Sequence, residues 1–310
     1  MNCTGLVSII MATFNRAHLI EKSLESISQQ TCANWECIII DDGSTDNTQH
    51  IIETYSGRDN RFQYYLRNNT YNKGLPGSRN MGLDMANGQF ILFIDDDDYA
   101  HPQLLEICCN YLENNLYAFF CHYLKQPFTT DIPEVTSAYL PNGDYSITNT
   151  SFYEDFVTYK TPMASCTVMW RAMCFTGQRF NEELTYAEEW ECYTRLLVDF
   201  SVGILLNKIL YFNRKHPHSN TYEFYSGNQE RVESKKKAIQ LIMNMLKKKG
   251  KLLPGTSNYL INTALGFNDI DLINILMTNA ELNLVNRFIL RLKFYSLPIR
   301  RTLKRLKTVI

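Results

Sequence analysis

Residues 88–98 read Gly-Gln-Phe-Ile-Leu-Phe-Ile-Asp-Asp-Asp-Asp, an apolar run that ends in four consecutive aspartates. A short apolar run bounded by turn signals is typical of a strand that is buried on both faces. A second run of this kind, residues 36–40, ends at Asp41 and Asp42. Such strands belong to parallel sheets, in which ligands bind beyond the carboxyl ends of the strands. We therefore expect both acidic clusters at one edge of a sheet.

Strand and helix signals alternate along the first hundred residues. Apolar runs at residues 6–11 and 62–66 predict two further strands, and apolar residues recur at helical spacing within residues 17–30. This alternation predicts an α/β protein with a three-layer α/β/α architecture and a mostly parallel sheet. The C-terminal part has helical patterns alone, so we expect a domain over residues 1–225 and a helical extension over residues 226–310.

The 310-residue composition, 45% hydrophobic and 20% charged, is that of an ordinary globular protein. It excludes disordered, collagen-like and coiled-coil proteins. No apolar run approaches the roughly 18 residues of a membrane-spanning helix, and the first residues lack the features of a signal peptide. Nine cysteines are scattered without a Cys-x-x-Cys pair. This favours reduced thiols and a cytoplasmic location over a disulfide framework or a structural zinc site.

Charge is distributed unevenly along the chain. The net charge is −1, yet eight basic and no acidic residues follow Glu281. The acidic remainder argues against nucleic-acid binding by the body, and the basic tail suggests an anionic partner. After Pro298, apolar residues recur at helical spacing between the cations, at Ile299, Leu303, Leu306 and Ile310. They predict a short amphipathic helix for peripheral membrane contact, with packing on the body or in an oligomer as the alternative. The oligomeric state stays open.

The aspartates at 95–98 predict a divalent-cation site. Carboxylates this close together repel one another strongly, and hard oxygen ligands suit Mn²⁺ or Mg²⁺. A cation held by one or two carboxylates completes its shell with substrate phosphates, which points to a nucleotide diphosphate. A solvated acidic loop is the alternative. Asp41 and Asp42 could accept hydrogen bonds from a ribose hydroxyl or a base N–H, or could simply form a tight turn and a helix cap.

Arg79 lies near the start of a helix predicted over residues 77–87. A guanidinium close to a helix N-terminus is well placed to bind a phosphate or a base edge. The alternative is an ordinary surface arginine.

Four segments, in this order and spacing, resemble the family 2 glycosyltransferases of the GT-A fold: residues 7–16, 39–46, 77–82 and 88–98. The resemblance covers about the first 105 residues closely and returns from residue 162 to residue 219. It implies an inverting transferase with a nucleotide-diphosphate sugar, most simply UDP-linked, as donor. It also implies a glycan or lipid-linked acceptor and a role in bacterial surface polysaccharide or lipooligosaccharide synthesis. Such an enzyme would work at the inner face of the cytoplasmic membrane.

The resemblance also assigns roles to individual residues. Those that would bind the nucleotide are Thr13, Asn15, Asp41, Asp42, Arg79, Asp95 and Asp96. Asp97 and His216 would hold the metal, with His218 as the fallback for the histidine. The general base of the family is an aspartate, where this chain has Glu189 preceded by Glu188. Glu189 is the matching position, and general-base chemistry tolerates either aspartate or glutamate within hydrogen-bond reach. The longer side chain nevertheless leaves open whether Glu189 or Glu188 is the base.

Two other functions compete with a glycosyltransferase. A nucleotidyltransferase would carry a glycine-rich basic loop after the first strand, and residues 12–16 contain no glycine. A non-catalytic module that binds a nucleotide sugar or a glycan is the second alternative. In that case the glutamate at the position of the general base would indicate that catalytic activity has been lost.

Overall fold

The computed structural model describes residues 4–130, 133, 145–216 and 219–307, with side chains described up to residue 296. The chain divides into two compact units, Met1–Ser234 and Lys235–Ile310. The domain boundary expected after residue 225 stays a prediction, because compactness alone does not show which part folds independently.

The first unit is built on one nine-stranded sheet. The strands are β1 (Val7–Thr13), β2 (Trp35–Asp41), β3 (Phe62–Leu66), β4 (Phe90–Phe93), β5 (Tyr99–Ala100), β6 (Phe120–Phe128), β7 (Tyr145–Ile147), β8 (Val168–Arg171) and β9 (Gly203–Arg214). Their spatial order is β3-β2-β1-β4-β8-β6-β9-β5, with β7 paired to β9. Pairing is parallel from β3 to β4, whereas β8 is antiparallel to both of its neighbours. The predicted parallel sheet is therefore found in the first half, and the second half is mixed.

Seven α-helices are described in the first unit before residue 229. They are α1 (Ile20–Ser28), α2 (Thr48–Arg58), α3 (Leu75–Met85), α4 (Leu104–Asn114), α5 (Phe152–Val157), α6 (Glu188–Asp199) and α7 (Asn220–Tyr225). Helix α3 begins two residues before its predicted start, because Pro76 suits the first turn of a helix. The four predicted strands, and the helices predicted within residues 17–30 and 77–87, all form within a few residues of their expected ends.

Strand β2 shows how the helices form two layers. Successive side chains of a strand point to opposite faces of the sheet. Cys37 and Ile39 belong to the core cluster that includes residues of α1, α2 and α4, whereas Ile38 and Ile40 pack with Met81 of α3. Every residue of β2 is buried. The sheet is thus covered on both faces, which confirms the three-layer architecture.

The second unit is helical in its described part. Helix α8 (Gln229–Lys248) leads into it, and α9 (Pro254–Leu265), α10 (Ile270–Asn279) and α11 (Leu284–Lys307) follow. Helix α11 runs through Pro298, so the short helix expected after this proline is the end of a longer one. Within residues 4–307 as described, no helix is both long and apolar enough to cross a membrane.

The cysteines only partly follow the expectation of reduced thiols. Seven of those described are buried free thiols, but Cys109 on α4 is disulfide-bonded. One turn further along α4, the Glu113 carboxylate accepts hydrogen bonds from the backbone N–H groups of Thr4 and Gly5. This contact holds the start of the chain against the helix that carries Cys109.

Candidate functional site

A cavity of about 660 Å³ opens at the carboxyl ends of β1, β2 and β4. Its lining includes Thr13 at the end of β1, Asp42 after β2 and residues 95–98 after β4. Parallel pairing places Thr13 directly beside Asp41 in the register of β1 and β2. The two acidic clusters thus lie at one edge of the sheet, where their positions in the sequence place them.

Asn15 fastens the loop after β1 to the loop after β2. Its backbone N–H donates to Ser44 Oγ at 2.8 Å, and its Oδ1 accepts from the Thr45 N–H at 2.8 Å. Its φ of 54° lies in the left-handed region, which asparagine tolerates better than most residues. The neighbours Phe14 and Arg16 line the cavity. The nucleotide contact expected of Asn15 stays a prediction.

Asp41 and Asp42 have different environments. The buried Asp41 carboxylate closes the turn after β2, because its Oδ1 accepts from the N–H groups of Gly43 and Ser44. The Asp42 carboxylate pairs with Arg67 and accepts from the Gly74 N–H at 2.9 Å. Only Asp42 of the two lines the cavity. The turn predicted as the alternative for this pair is formed by Asp41, and Asp42 is the better placed to meet a ligand.

His216 lies two residues beyond β9 and meets the acidic segment. Its Nε2 is 2.8 Å from Asp97 Oδ2. Arg214, the last residue of β9, donates from its backbone N–H to Asp98 Oδ1 at 2.8 Å and from its Nε to the Asp97 carbonyl at 3.2 Å. These bonds fix the acidic segment against β9 and bring together the two residues predicted as metal ligands. His218 lies outside the described residues.

Asp97 and His216 fit a divalent cation. Two adjacent ligands of an octahedral ion, each about 2.1 Å from it, lie about 3 Å apart, close to the separation seen here. Carboxylate oxygen together with imidazole nitrogen is a donor set suited to Mn²⁺. Asp95, Asp98 and Cys166 form a second group whose ligand atoms lie within 4.8 Å of one another. Burial raises the pKa of the Cys166 thiol, so it stays protonated and is a poor ligand.

The acidic segment carries more negative charge than its neighbours neutralise. Burial, followed by the repulsion of Asp97, raises the pKa of Asp96 to about 7, although Arg16 lowers it in part. The Arg16 Nε donates to Asp96 Oδ1 at 3.3 Å. Burial also raises the pKa of Asp98 well above its ordinary value, with repulsion from Asp95 and Asp97 adding to the effect. A bound cation would relieve this repulsion.

Arg79 connects the acidic segment to α6. Its side chain is 3% exposed, and it donates to Asp95 Oδ1 at 3.1 Å, to Glu188 Oε1 at 3.1 Å and to Ser165 Oγ at 2.7 Å. It lies in the first turns of α3, as predicted, and its guanidinium lines the cavity. These contacts make Arg79 a buried link between two acidic groups. The nucleotide contact expected of it stays a prediction.

Glu188 and Glu189 begin α6 and both line the cavity. Glu188 is buried, whereas Glu189 is partly exposed. Burial and the neighbouring Glu189 raise the pKa of Glu188 to about 8, against the opposing effect of Arg79. Ala187, just before them, has a φ of 63°, in the left-handed region that costs an alanine free energy. This turn directs the glutamates toward the cavity at the start of the helix.

The segment before α6 is held by residues that the sequence analysis did not select. The backbone N–H groups of Thr185 and Tyr186 donate to Ser234 Oγ at 3.0 and 2.9 Å. Arg231 donates to the carbonyl of Thr185, and the Tyr186 ring stacks on Phe224 with 4.6 Å between centroids. These contacts link α7 and the start of α8 to the wall of the cavity.

Sequence reasoning also missed Arg16, Arg214 and Glu182. Glu182 accepts from Asn80 Nδ2 and from the Asn72 N–H, both at 2.7 Å, and thereby joins the second half of the unit to α3. Arg16 and Arg214 were within reach of prediction, because they lie one and two residues from Asn15 and His216, within the parts of the chain that the family resemblance covers. No pattern around Glu182 indicates its partners.

Known proteins resemble this chain in sequence and in fold. The model of glycosyl transferase family 2 matches residues 8–174. Over 119 residues the chain is 41% identical to the Escherichia coli UDP-Glc:alpha-D-GlcNAc-diphosphoundecaprenol beta-1,3-glucosyltransferase WfgD. The aligned residues make up 38% of this chain and 46% of that protein. The chain thus spans less than half the length of this curated relative.

Two solved structures show the same fold. TarS residues 1–349 from S. aureus, in complex with UDP, superpose with a TM-score of 0.60 at 21% identity, over 83% of this chain and 70% of that chain. The mannosyltransferase PcManGT from Pyrobaculum calidifontis, in complex with GDP-Man and Mn²⁺, gives a TM-score of 0.56 at 15% identity, over 93% of this chain and 79% of that chain. At these identities the likeness concerns the fold alone.

Proposed function

Since the chain belongs to glycosyl transferase family 2 and has the GT-A fold, we propose that it transfers a sugar from a nucleotide-diphosphate sugar to an acceptor hydroxyl. The observation that carries this proposal is that two groups with acidic side chains line the same cavity. The Asp97–His216 pair lies after β4 and β9, and the Glu188–Glu189 pair begins α6. One pair suits a cation and its diphosphate, and the other suits a proton acceptor.

The donor would lie across the strand ends. Thr13 and Asp42 line the part of the cavity next to β1 and β2, where a nucleoside would meet hydrogen-bonding groups. Asp97 and His216 would hold Mn²⁺ or Mg²⁺ against the diphosphate. When bound, such a cation supplies Lewis-acid neutralisation of the charge on the leaving diphosphate. UDP is the nucleotide we propose, because the WfgD relative is named for UDP-Glc and TarS binds UDP.

Glu189 is the general base in this proposal. It is more exposed to the cavity than Glu188, whose Oε1 is already bonded to Arg79. Burial and Glu189 raise the pKa of Glu188 to about 8 despite the opposing effect of Arg79, which would keep this carboxyl close to neutral near pH 7, so that the pair carries one accessible negative charge. Glu189 would take the proton of the acceptor hydroxyl, which attacks the anomeric carbon on the face opposite the diphosphate. A single displacement of this kind inverts the anomeric centre.

The acceptor we propose is a glycan or a lipid-linked glycan of a bacterial surface polysaccharide pathway. The name of the WfgD relative specifies a GlcNAc-diphosphoundecaprenol acceptor, which is anchored in a membrane. An enzyme with this acceptor would work at the inner face of the cytoplasmic membrane, with the basic C-terminal tail as a peripheral contact. The eight basic residues after Glu281 support this placement.

A thermal-shift screen tests the donor site. UDP-, GDP- and dTDP-sugars would be compared with and without Mn²⁺, in the wild type and in Asp97→Asn. A donor at about 100 times its Kd stabilises by about 2.7 kcal/mol, which raises the Tm by roughly 5–10 °C. We expect this shift for one donor class, with Mn²⁺ only, and its loss in Asp97→Asn but not in the control Asp155→Asn, whose carboxylate pairs with the exposed Lys160. Equal shifts in both variants would contradict the assigned metal site.

The base is tested separately by Glu189→Gln. The amide keeps the shape of the side chain but cannot accept the proton, so the variant should bind the donor as the wild type does and transfer sugar about 10²–10⁴ times more slowly. Glu183→Gln, at an exposed position before α6, is the matched control. Full transfer by Glu189→Gln would remove this residue from the mechanism. Donor binding by the wild type without turnover on any acceptor would favour a non-catalytic binding module.

A further inference from the structure

We propose that helix α11 binds an anionic lipid surface through a row of exposed apolar side chains before the basic tail. This row, the α11 stripe, consists of Leu284, Val285, Phe288, Ile289, Leu292 and Tyr295. Their exposed fractions run from 44% for Ile289 to 84% for Leu284. Large apolar side chains exposed together on one helix are uncommon on a soluble surface and mark an interaction site.

The α11 stripe occupies one continuous side of the helix. At 3.6 residues per turn, its six positions fall within an arc of about 140°. On the opposite side of the helix, Phe294 is 9% exposed and Leu290 and Arg287 are partly buried. Helix α11 therefore has a packed side and an apolar outer side, which is the arrangement of a helix that lies in the plane of a membrane interface.

Cations border the α11 stripe. By helical position, Arg291 lies at one edge of the arc and Lys293 at the other, and both side chains are exposed. The Arg291 guanidinium donates to the amide oxygen of Asn274 at 3.2 Å, a neutral partner that leaves its charge uncompensated. The sequence of α11 contains no acidic residue from Leu284 onward. An apolar arc bordered by cations complements acyl chains bordered by anionic headgroups.

This charge pattern favours a lipid surface over a second copy of the chain. Two copies joined through the α11 stripe would bring Arg291 and Lys293 close to the same cations of the partner, and like charges in an interface are unfavourable. An anionic membrane neutralises them. In the sequence, Ile299, Leu303 and Leu306 continue the spacing of the stripe, with five more basic residues between Arg300 and Lys307. Helix α11 has 24 residues, about 36 Å, over which contact could extend.

The inference rests on the proposed function in one respect, because a membrane-anchored acceptor would explain why the enzyme needs a lipid-binding surface. Binding to lipid is measured without donor or acceptor. A failure of lipid binding would therefore leave the donor-site measurements untouched, and a failure of sugar transfer would leave the lipid measurement valid.

The test is flotation of the full chain with lipid vesicles. One set would contain phosphatidylethanolamine with about a quarter phosphatidylglycerol, and the other phosphatidylcholine alone. We expect binding to the anionic vesicles that weakens as salt is raised, since added ions screen the cations. Binding at least about ten-fold weaker is expected on phosphatidylcholine, because the cations then lose their partners. Absence of binding to the anionic vesicles, or equal binding to both, would overturn the proposal.

A matched pair of variants separates the stripe from overall charge. Phe288→Asp places a carboxylate in the α11 stripe, whereas Asn286→Asp adds the same charge at an exposed position outside it. Phe288→Asp should weaken vesicle binding at least about ten-fold, because it replaces a large inserted side chain by a charged one, and Asn286→Asp should weaken it much less. Both residues are exposed, so the Tm should stay unchanged. Equal effects of the two variants would overturn the proposal, as would a dimer of the wild type in solution that Phe288→Asp dissociates.

Discussion

Replacing Arg79 by methionine should strongly destabilise the first unit. The substitution keeps the length of the side chain but removes its bonds to Glu188, Asp95 and Ser165. Arg79 and Glu188 are 3% and 5% exposed, so the Glu188 carboxylate would be left buried with Glu189 as its nearest charge. Asp95 is 36% exposed and can regain water, so its share of the loss is small.

At pH 9, above the folded pKa of about 8 of Glu188, the pair with Arg79 is ionised, and breaking a buried ion pair by removing one partner costs about 3–5 kcal/mol. For a unit of this size, each kcal/mol lowers the Tm by about 2–4 °C, so we expect Arg79→Met to lower it by roughly 6–20 °C. The double variant Arg79→Met with Glu188→Gln should be more stable than Arg79→Met by about 1–3 kcal/mol, because the unpaired carboxylate is gone. Lys160→Met, which breaks the exposed pair with Asp155, is the control and should change little.

The assay is urea unfolding at pH 9, where Glu188 is ionised in the wild type, followed by tryptophan fluorescence, together with a thermal scan of the same samples. Arg79→Met with the stability of the control would refute the reasoning, since the buried pair would then contribute nothing. A double variant less stable than Arg79→Met would refute it as well. That result would mean that the uncompensated Glu188 charge is not the cause of the loss.

Three further predictions concern Glu188, Ala187 and Gly82. Glu188 has a folded pKa of about 8, well above its ordinary 4.5, so the folded state keeps a proton that the unfolded state loses. The free energy of unfolding of the wild type should therefore fall as the pH rises from 4.5 to 8, and that of Glu188→Gln, measured by urea unfolding, should rise relative to it. A difference between the two proteins that stays constant over this pH range would argue against the raised pKa. Ala187→Gly should raise the free energy of unfolding by up to about 1 kcal/mol, since glycine adopts a φ of 63° without strain, and a loss would contradict that strain. Gly82→Ala should lower it by about 1–3 kcal/mol, because the added Cβ would lie 2.4 Å from Ile10 Cγ2; an unchanged urea midpoint would show that α3 can move away from β1.

The first half of the fold could be predicted because its strands are buried on both faces. Runs such as residues 37–40 and 90–94 are continuous and apolar, and the helices between them have one apolar face. The second half gave weaker signals. Strand β6 contains Lys125, Gln126 and Pro127, and four of its nine residues are exposed. Its sequence is therefore neither a continuous apolar run nor a regular alternation of apolar and polar residues. Its pairing with both β8 and β9 depends on contacts that no local pattern encodes.

Most residues expected at the candidate site line the cavity, whereas Asn15 and Asp41 do not, and their contacts were less predictable. The strand ends place Asp42 and residues 95–98 at the cavity, because parallel strands end at one edge of a sheet. The bond from Arg79 to Glu188 spans 109 residues, and the pairing of His216 with Asp97 spans 119. Neither separation leaves a mark in the local sequence. The distinct environments of Asp41 and Asp42 likewise depend on Tyr64 and Arg67, which come from and follow β3.

The most direct test of the account is the position of manganese in a crystal grown with Mn²⁺ and UDP. Anomalous scattering at the manganese absorption edge locates the ion independently of the rest of the electron density. We expect one strong peak at about 2.1 Å from Asp97 Oδ2 and His216 Nε2, with the diphosphate completing its shell. A peak between Asp95, Asp98 and Cys166, or UDP bound with no manganese beside Asp97, would contradict it.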